Sequence, residues 1–190
     1  MPARILAPLV GEPLPLDFVN TRPIRARGVD LPADQFGSVS GLQQWLAMES
    51  DRLSYVQVTE PVRFSVIALR EHVGAALDAV ADGVAPPQSA IDAVNAALLG
   101  ASSHSVLRWA GAGGYLEVIR DAAGGTALLA ALAESAAEYL ASELAAKTRR
   151  CEAPDCDLLF SQTHPRRRWC SSTVCGNRTR VSRYYERHKN

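Results

Sequence analysis

The sequence predicts an α+β protein, with a mainly helical N-terminal domain that contains a β-hairpin and a small cysteine-rich C-terminal module. Three observations support this fold class. Apolar residues recur at helical spacing through the middle of the chain, two β-like runs flank a glycine-rich turn, and all four cysteines lie in the last quarter of the 190 residues. The predicted domains are residues 1–147 and residues 148–190.

The first part of the chain shows few periodic features. Residues 14–21 form a short apolar run, and its length does not decide between a strand and the start of a helix. Residues 22–40 contain proline and glycine without a period, which predicts a long loop. A short helix is expected over residues 41–50.

Helical periodicity is strongest in the middle of the chain. After Glu60, apolar side chains recur at spacings of three and four residues, and Pro61 suits a first helical turn. Gly83 is expected to end this helix. A second amphipathic helix begins after Pro87 and is closed by Gly100.

A hairpin and a long helix complete the predicted first domain. The β-like runs cover residues 105–110 and 115–120, and the glycine-rich residues between them favour a tight turn. A phosphate-binding loop would instead need a helix after the glycines. Gly124 and Gly125 then precede a helix predicted to run through Lys147 to Arg150, so that a helix rather than a flexible tether joins the domains.

The cysteines are spaced C-x4-C-x13-C-x4-C and comprise Cys151, Cys156, Cys170 and Cys175. Two close pairs separated by such a loop let two turns converge, so that four thiolates surround one Zn²⁺. The alternatives are two disulfides or inert buried thiols, and the start of the chain lacks the features of a secretion signal. His164 is a further potential ligand, but four thiolates leave no open position. The predicted cofactor is therefore one structural Zn²⁺.

The predicted order of elements in the module resembles a treble clef. The first cysteine pair forms a turn, residues 158–160 form a strand, and residues 166–169 return as its partner strand. A helix then starts at Cys175 and continues to about His188.

Charge is distributed unevenly along a chain whose net charge is zero. Residues 147–190 hold eleven Lys and Arg against four Asp and Glu, a net charge of +7, and the remainder carries −7. Zinc with four thiolates lowers the net charge of the module to about +5. A basic zinc module with clustered arginines has the electrostatic character of a nucleic-acid-binding domain. The candidate nucleic-acid-binding residues are Arg166, Arg167, Arg168, Arg178, Arg180, Arg183 and Arg187.

Two other roles remain open for these arginines. Basic faces of small zinc modules also bind acidic proteins, so the module could act as a protein–protein adaptor. Arg178 could instead brace the fold near the metal. The charge contrast between the domains favours nucleic acid over a protein partner. DNA rather than RNA is the expected nucleic acid.

Two motifs resemble parts of one known family. Residues 167–178, which read RRWCSSTVCGNR, resemble the CGNR zinc finger, and residues 14–22, which read LPLDFVNTR, are similar to the signature that opens the ABATE domain. The resemblance implies a bacterial transcription regulator in which an N-terminal domain senses an unidentified ligand. The candidate ligand-binding residues are Asp17, Asn20, Thr21 and Arg22. Asp17 and Asn20 could instead bond to nearby backbone, as short polar side chains often do.

Other functional classes receive less support. No apolar stretch approaches the roughly 20 residues of a membrane span, and a cytoplasmic location is expected. His72 and His104 do not belong to a local pattern of acid, base and nucleophile. We therefore expect that the protein is not an enzyme.

Overall fold

The computed structural model describes residues 10–22, 34–154 and 156–188. These residues form an α+β fold of α-helices and two small antiparallel sheets. The helices are α1 (Leu14–Val19), α2 (Val39–Met48), α3 (Glu60–Ala81), α4 (Gln88–Leu99), α5 (Gly124–Ala141) and α6 (Asn177–Arg187). The strands are β1 (Ser103–Ala110), β2 (Gly113–Arg120), β3 (Thr148–Arg150) and β4 (Leu159–Ser161).

All residues of the short helix α1 are buried, which places this helix at the centre of the first domain. It packs against α3 and α5. Phe18 joins Phe36 and Trp45 in an aromatic cluster whose ring centroids lie 5.3 to 6.1 Å apart. The apolar run at residues 14–21 is thus mainly helical, and Pro15 stands in the first turn, where a missing N–H costs nothing.

The predicted helices in the middle of the chain are confirmed. The Ser38 hydroxyl accepts a hydrogen bond from the Gly41 N–H at 3.1 Å, and this cap starts α2 two residues before the predicted position. Gly83 follows α3 with a φ of +74°, a conformation that suits glycine at a helix end. Residues 23–33 of the predicted long loop lie outside the described part of the chain.

The predicted β1–β2 hairpin is also confirmed. Ala110 pairs with Gly113 across a two-residue turn, and Gly111 in that turn has a φ of +57°. Tight hairpin turns need this left-handed conformation, which glycine adopts without strain. Leu107 and Leu116 face each other in the middle of the hairpin.

The prediction that one helix continues to Arg150 is wrong. Helix α5 ends at Ala141, and Ser142 has an extended backbone with a φ of −94° and a ψ of 163°. The Ser142 hydroxyl donates to the Tyr139 carbonyl and accepts from the Leu144 N–H, so the side chain competes with the helical hydrogen bonds. A 3₁₀ turn, Ala145–Lys147, then leads into β3.

The predicted strand pairing in the second domain is also wrong. Strand β4 pairs with β3, in the register Arg150 to Leu159, rather than with residues 166–169. The Cys151 N–H extends this pairing by donating to the Leu158 carbonyl at 2.9 Å. Residues 166–169 instead belong to a turn, which the Arg167 N–H closes through the His164 carbonyl. The treble-clef order of the sequence prediction therefore lacks its expected return strand.

In the described part of the chain, no helix has the length and apolar character needed to cross a membrane.

Candidate metal centre and basic surface

The four cysteines converge from two separate turns. Cys151 follows β3, and Cys156 lies at the far end of the turn after it. Cys170 follows the turn at residues 164–169, and Cys175 lies in a π-helical turn, Ser172–Gly176, before α6. Their sulfur atoms all lie within 4.8 Å of one another. The predicted set of metal ligands is thus assembled in one place.

The sulfur positions fit zinc and exclude disulfides. The Sγ atoms of Cys156, Cys170 and Cys175 are separated by 3.5 to 3.9 Å. Tetrahedral coordination with Zn–S bonds of about 2.3 Å places sulfurs about 3.8 Å apart. A disulfide would need about 2.05 Å, and all four cysteines are free. The site therefore holds one structural Zn²⁺, with no ligand position left for catalysis.

The thiols also need a cation for electrostatic reasons. The hydrogen bond with Cys156 lowers the pKa of Cys151, whereas the hydrogen bond with Cys151 raises the pKa of Cys156 and of Cys170. Ionising one thiol thus hinders ionisation of its neighbours. Zn²⁺ compensates four thiolates together, and its binding free energy then stabilises the fold of the module.

Each residue of the Cys175–Arg178 segment has a structural role next to the metal. Any side chain at Gly176 would begin 3.3 Å from the Trp169 ring. The Asn177 side-chain oxygen accepts from Arg180 at 2.8 Å. Arg178 donates to the Pro154 carbonyl at 3.2 Å and lies 3.7 Å from the Cys175 sulfur. The guanidinium of Arg178 thus bridges the two cysteine turns and compensates thiolate charge.

The N-terminal end of the π-helical turn is capped by Ser171. Its hydroxyl accepts from the Val174 N–H at 3.2 Å. Thr179 is a buried residue of α6, and its hydroxyl donates to the Cys175 carbonyl at 2.9 Å. These bonds fix the direction in which α6 leaves the metal centre.

Like Arg178, two more of the candidate arginines are occupied within the chain. Arg167 pairs with Glu12, donates to the Ser161 carbonyl at 3.0 Å and lies over the Phe160 ring. Arg168 donates to the Glu152 carboxylate at 2.6 Å. Their charges are therefore partly neutralised before any partner arrives.

The other candidate arginines lie on an exposed surface. In residues 156–188, the side chains of Arg166, Arg180, Arg183 and Arg187 form no ion pair within the described chain. Arg180, Arg183 and Arg187 follow one face of α6, whose only buried residue is Thr179. We call these four arginines the basic surface.

A groove adjoins the basic surface on the zinc module. It has a volume of about 450 Å³ and is lined in part by Arg166, Trp169, Ser171 and Ser172. The guanidinium carbons of Arg168 and Arg180 lie 5.8 and 5.9 Å from the centroid of the Trp169 ring. Cations, hydroxyls and an aromatic ring in one groove are groups that bind phosphates and bases.

The two predicted domains are joined by specific contacts that local sequence patterns did not reveal. The side-chain amide of Asn20 exchanges two hydrogen bonds with the Leu159 backbone, each 2.9 Å long. Leu159 itself is fully buried in the core of the helical domain. The Glu12 carboxylate accepts from the Ser161 N–H at 3.0 Å. Strand β4 is thus held against the first domain along its whole length.

Arg150 makes a second set of contacts between the two domains, and we call the region of these contacts and those of β4 the joint. Arg150 donates to Asp78 at 2.9 Å and to Asp82 at 3.0 and 3.1 Å. Hydrogen bonding to Asp82 raises the pKa of Arg150, and the same bond lowers the pKa of Asp82. Asp78 lies in the last turn of α3 and Asp82 caps its C-terminal end, and this spacing of four residues places both acids on one side of the helix.

The candidate ligand-binding residues all have partners inside the chain. Asp17 accepts from the Gly11 and Glu12 N–H groups and pairs with Arg52, while Asn20 binds Leu159. The Thr21 hydroxyl donates to the Phe18 carbonyl, and Arg22 pairs with Asp78 at 3.0 Å. Only Asn20 and Arg22 of these four line a cleft, of about 340 Å³, which the joint residues Asp78 and Arg150 also line.

A buried acid pair shares one arginine near α1. Burial raises the pKa of Asp17 and of Glu49, while hydrogen bonds from Arg52 oppose both shifts. Arg52 donates to each carboxylate at 2.6 Å. One Glu49 oxygen is buried without a hydrogen-bond partner. The cluster therefore places two buried carboxyl groups around a single cation.

The fold and the four-cysteine centre define a two-part α+β zinc protein. The family model for ABATE, described as "Putative stress-induced transcription regulator", matches residues 12–143. The model for the CGNR zinc finger matches residues 147–188. The chain belongs to the ABATE family and carries a CGNR zinc finger after that domain, which confirms the resemblance seen in the sequence. No curated protein is similar enough to the chain to count as a match.

Proposed function

We propose that this chain is a transcription regulator whose zinc finger binds DNA through the basic surface. The observation that carries the proposal is the exposure of α6, whose arginines form no ion pair within the described chain, whereas Arg167 and Arg168 are paired with Glu12 and Glu152. Exposed arginines on one face of a helix are suited to phosphates.

The dimensions of α6 favour duplex DNA over duplex RNA. The helix contains eleven residues, and an α-helix with its side chains is about 10 to 12 Å in diameter. The major groove of B-DNA is about 12 Å wide and admits an α-helix. The major groove of A-form RNA is too deep and narrow for side chains to read. Arg183 and Arg187 would then contact phosphates, and Tyr184 would lie beside them.

The N-terminal domain is proposed to respond to a ligand at the joint. The cleft lined by Asn20, Arg22, Asp78 and Arg150 lies where the helical domain meets β3. A small anion bound to Arg22 would compete with Asp78, which Arg150 also contacts. Occupancy of the cleft would therefore alter the contact that orients the finger. An anion that acts there should raise the melting temperature of the full chain, and Arg22→Ala should abolish the increase. The proposal assigns no catalytic activity to the chain.

A protein-binding adaptor is the second candidate function. Val181, Tyr184 and Tyr185 are exposed on α6, and exposed aromatic residues next to arginines are typical of protein interfaces as well. An acidic partner could use the same basic surface. In that case the finger would bind nucleic acid weakly even without salt.

The test is fluorescence anisotropy of the full, zinc-loaded chain with random-sequence DNA and RNA duplexes at low ionic strength. We use the full chain because Leu159 of the finger is buried in the core of the helical domain. DNA binding that exceeds RNA binding supports the proposal. The triple variant with Arg180→Ala, Arg183→Ala and Arg187→Ala should lose the DNA binding. Absence of binding to both nucleic acids would instead support the adaptor.

A further inference from the structure

The β1–β2 hairpin carries an unusual amount of exposed apolar surface. In the register of the hairpin, Leu107 faces Leu116, Trp109 faces Gly114 and Ser105 faces Val118, so these residues share one face of the sheet. The exposed fractions are 68% for Leu107, 73% for Trp109, 66% for Leu116 and 47% for Val118. We call these four side chains the hairpin face. Monomeric proteins rarely leave such a contiguous apolar patch in water.

The opposite face of the hairpin has a different character. It carries Arg108 and Glu117, which form an ion pair with a distance of 2.5 Å, and Tyr115 beside them. Val106 and Ile119 also lie on this opposite face, but both are partly buried, so the exposed large aliphatic side chains of the two strands all lie on the hairpin face. No helix of the described chain packs extensively on the hairpin face, because the strands contact chiefly each other.

We propose that the hairpin face binds the same face of a second copy of this chain and forms a twofold-symmetric dimer. The pair Leu107–Leu116 lies midway between the pairs Trp109–Gly114 and Ser105–Val118. A twofold axis that passes through the middle pair in the plane of the interface, perpendicular to the strands, places the Trp109 end of one hairpin against the Val118 end of the other. Such an isologous contact uses one surface patch twice.

The two ends of the hairpin face differ in size in the way that this arrangement requires. At one end the Trp109 ring lies across Gly114, where an added Cβ would begin 2.9 Å from the ring. At the other end stand the smaller residues Ser105 and Val118. Val118 also lines a cleft of about 820 Å³, together with Tyr55, which is 82% exposed. The large end of one copy thus meets the small end and the cleft of its partner.

The available area is sufficient for a weak specific dimer. Aromatic side chains bury 150 to 250 Å² each, so Trp109, Tyr55 and the three aliphatic side chains offer on the order of 500 Å² per copy. Two copies would bury on the order of 1,000 Å², which is the lower limit for specific interfaces. We therefore expect a dissociation constant in the micromolar range. The dimer would carry two fingers, one on each side of the twofold axis.

Sedimentation velocity of the full, zinc-loaded chain tests this proposal. The wild type should pass from monomer to dimer between about 1 and about 100 µM. Leu107→Glu places a charge in the centre of the interface, and this variant should stay monomeric throughout. Tyr115→Ser is the matched control, because Tyr115 is exposed on the opposite face, and it should dimerise like the wild type.

Trp109 provides a second, local measurement. Its emission should shift to shorter wavelength as the protein concentrates, and Trp109→Phe should remove this shift. If the circular dichroism of Leu107→Glu shows that this variant is unfolded, Leu116→Thr replaces it in the experiment, since threonine suits a strand. A wild type that remains monomeric at about 100 µM would overturn the proposal. Equal weakening of dimerisation by Leu107→Glu and by Tyr115→Ser would overturn the proposal as well.

Discussion

The side-chain amide of Asn20 donates to the Leu159 carbonyl and accepts from the Leu159 N–H, with both distances at 2.9 Å. Asn20 ends the buried helix α1, and Leu159 begins strand β4 beside the zinc centre. An asparagine amide satisfies both groups of one backbone residue in the way that a neighbouring strand would. These two hydrogen bonds hold the finger against the ABATE domain.

Asn20→Ala should destabilise the full chain by about 2 to 4 kcal/mol, because two buried backbone groups of Leu159 lose their partners. The measurement is urea unfolding monitored by circular dichroism. Asn95→Ala, an exposed change of the same type on α4, should alter the free energy of unfolding by less than about 0.5 kcal/mol. Equal stabilities of the two variants would show that the Asn20 contact contributes little.

Metal analysis of the full chain should find one zinc per molecule, and Cys170→Ser should lose it. Without the metal the thiolates repel, so the turns around the site and α6 should unfold. The ABATE helices should persist, since α1, α3 and α5 have their own core, but their melting temperature should fall because β4 loosens. Ser172→Ala, an exposed neighbour of the site, should keep its zinc. Retention of zinc by Cys170→Ser would contradict the assigned ligand set.

Glu49→Gln should flatten the pH dependence of stability. Burial raises the pKa of Glu49 in the folded chain, so the folded state holds this proton more tightly than the unfolded state does. Stability from this group is therefore present at low pH and is lost as pH rises through the raised pKa. As pH rises from about 4.5, the ordinary pKa of a glutamate, towards neutrality, the wild type should lose stability relative to Glu49→Gln.

Urea unfolding at several pH values within that range checks this expectation. The exposed variant Glu143→Gln should follow the wild-type curve. Parallel curves for wild type and Glu49→Gln would show that Glu49 does not titrate differently on folding.

Much of the fold was predictable because its signals are local. The spacing of the cysteines predicted the metal centre, the apolar period after Glu60 predicted α3, and the glycines after Ala110 predicted the hairpin. Each of these signals lies within a short segment, where side-chain periodicity reflects which face is buried.

The joint was not predictable, because its partners are distant in sequence. Asn20 and Leu159 are separated by 139 residues, and each looks ordinary in its own segment. The three-residue strands β3 and β4 are too short to show a period, so residues 166–169 were wrongly chosen as the partner of β4. The end of α5 was missed because one serine interrupts an alanine-rich stretch that otherwise favours a helix.

The most direct test of the central claim is the salt dependence of DNA binding by the full, zinc-loaded chain. Four phosphate contacts from Arg166, Arg180, Arg183 and Arg187 predict a log–log slope of about −3.6, since each contact contributes about −0.9. Arg183→Ala should make the slope shallower by about one unit, whereas Arg108→Ala, which removes the same charge from the hairpin of the ABATE domain, should change it little. A slope near zero, or equal effects of the two variants, would contradict DNA binding through the basic surface.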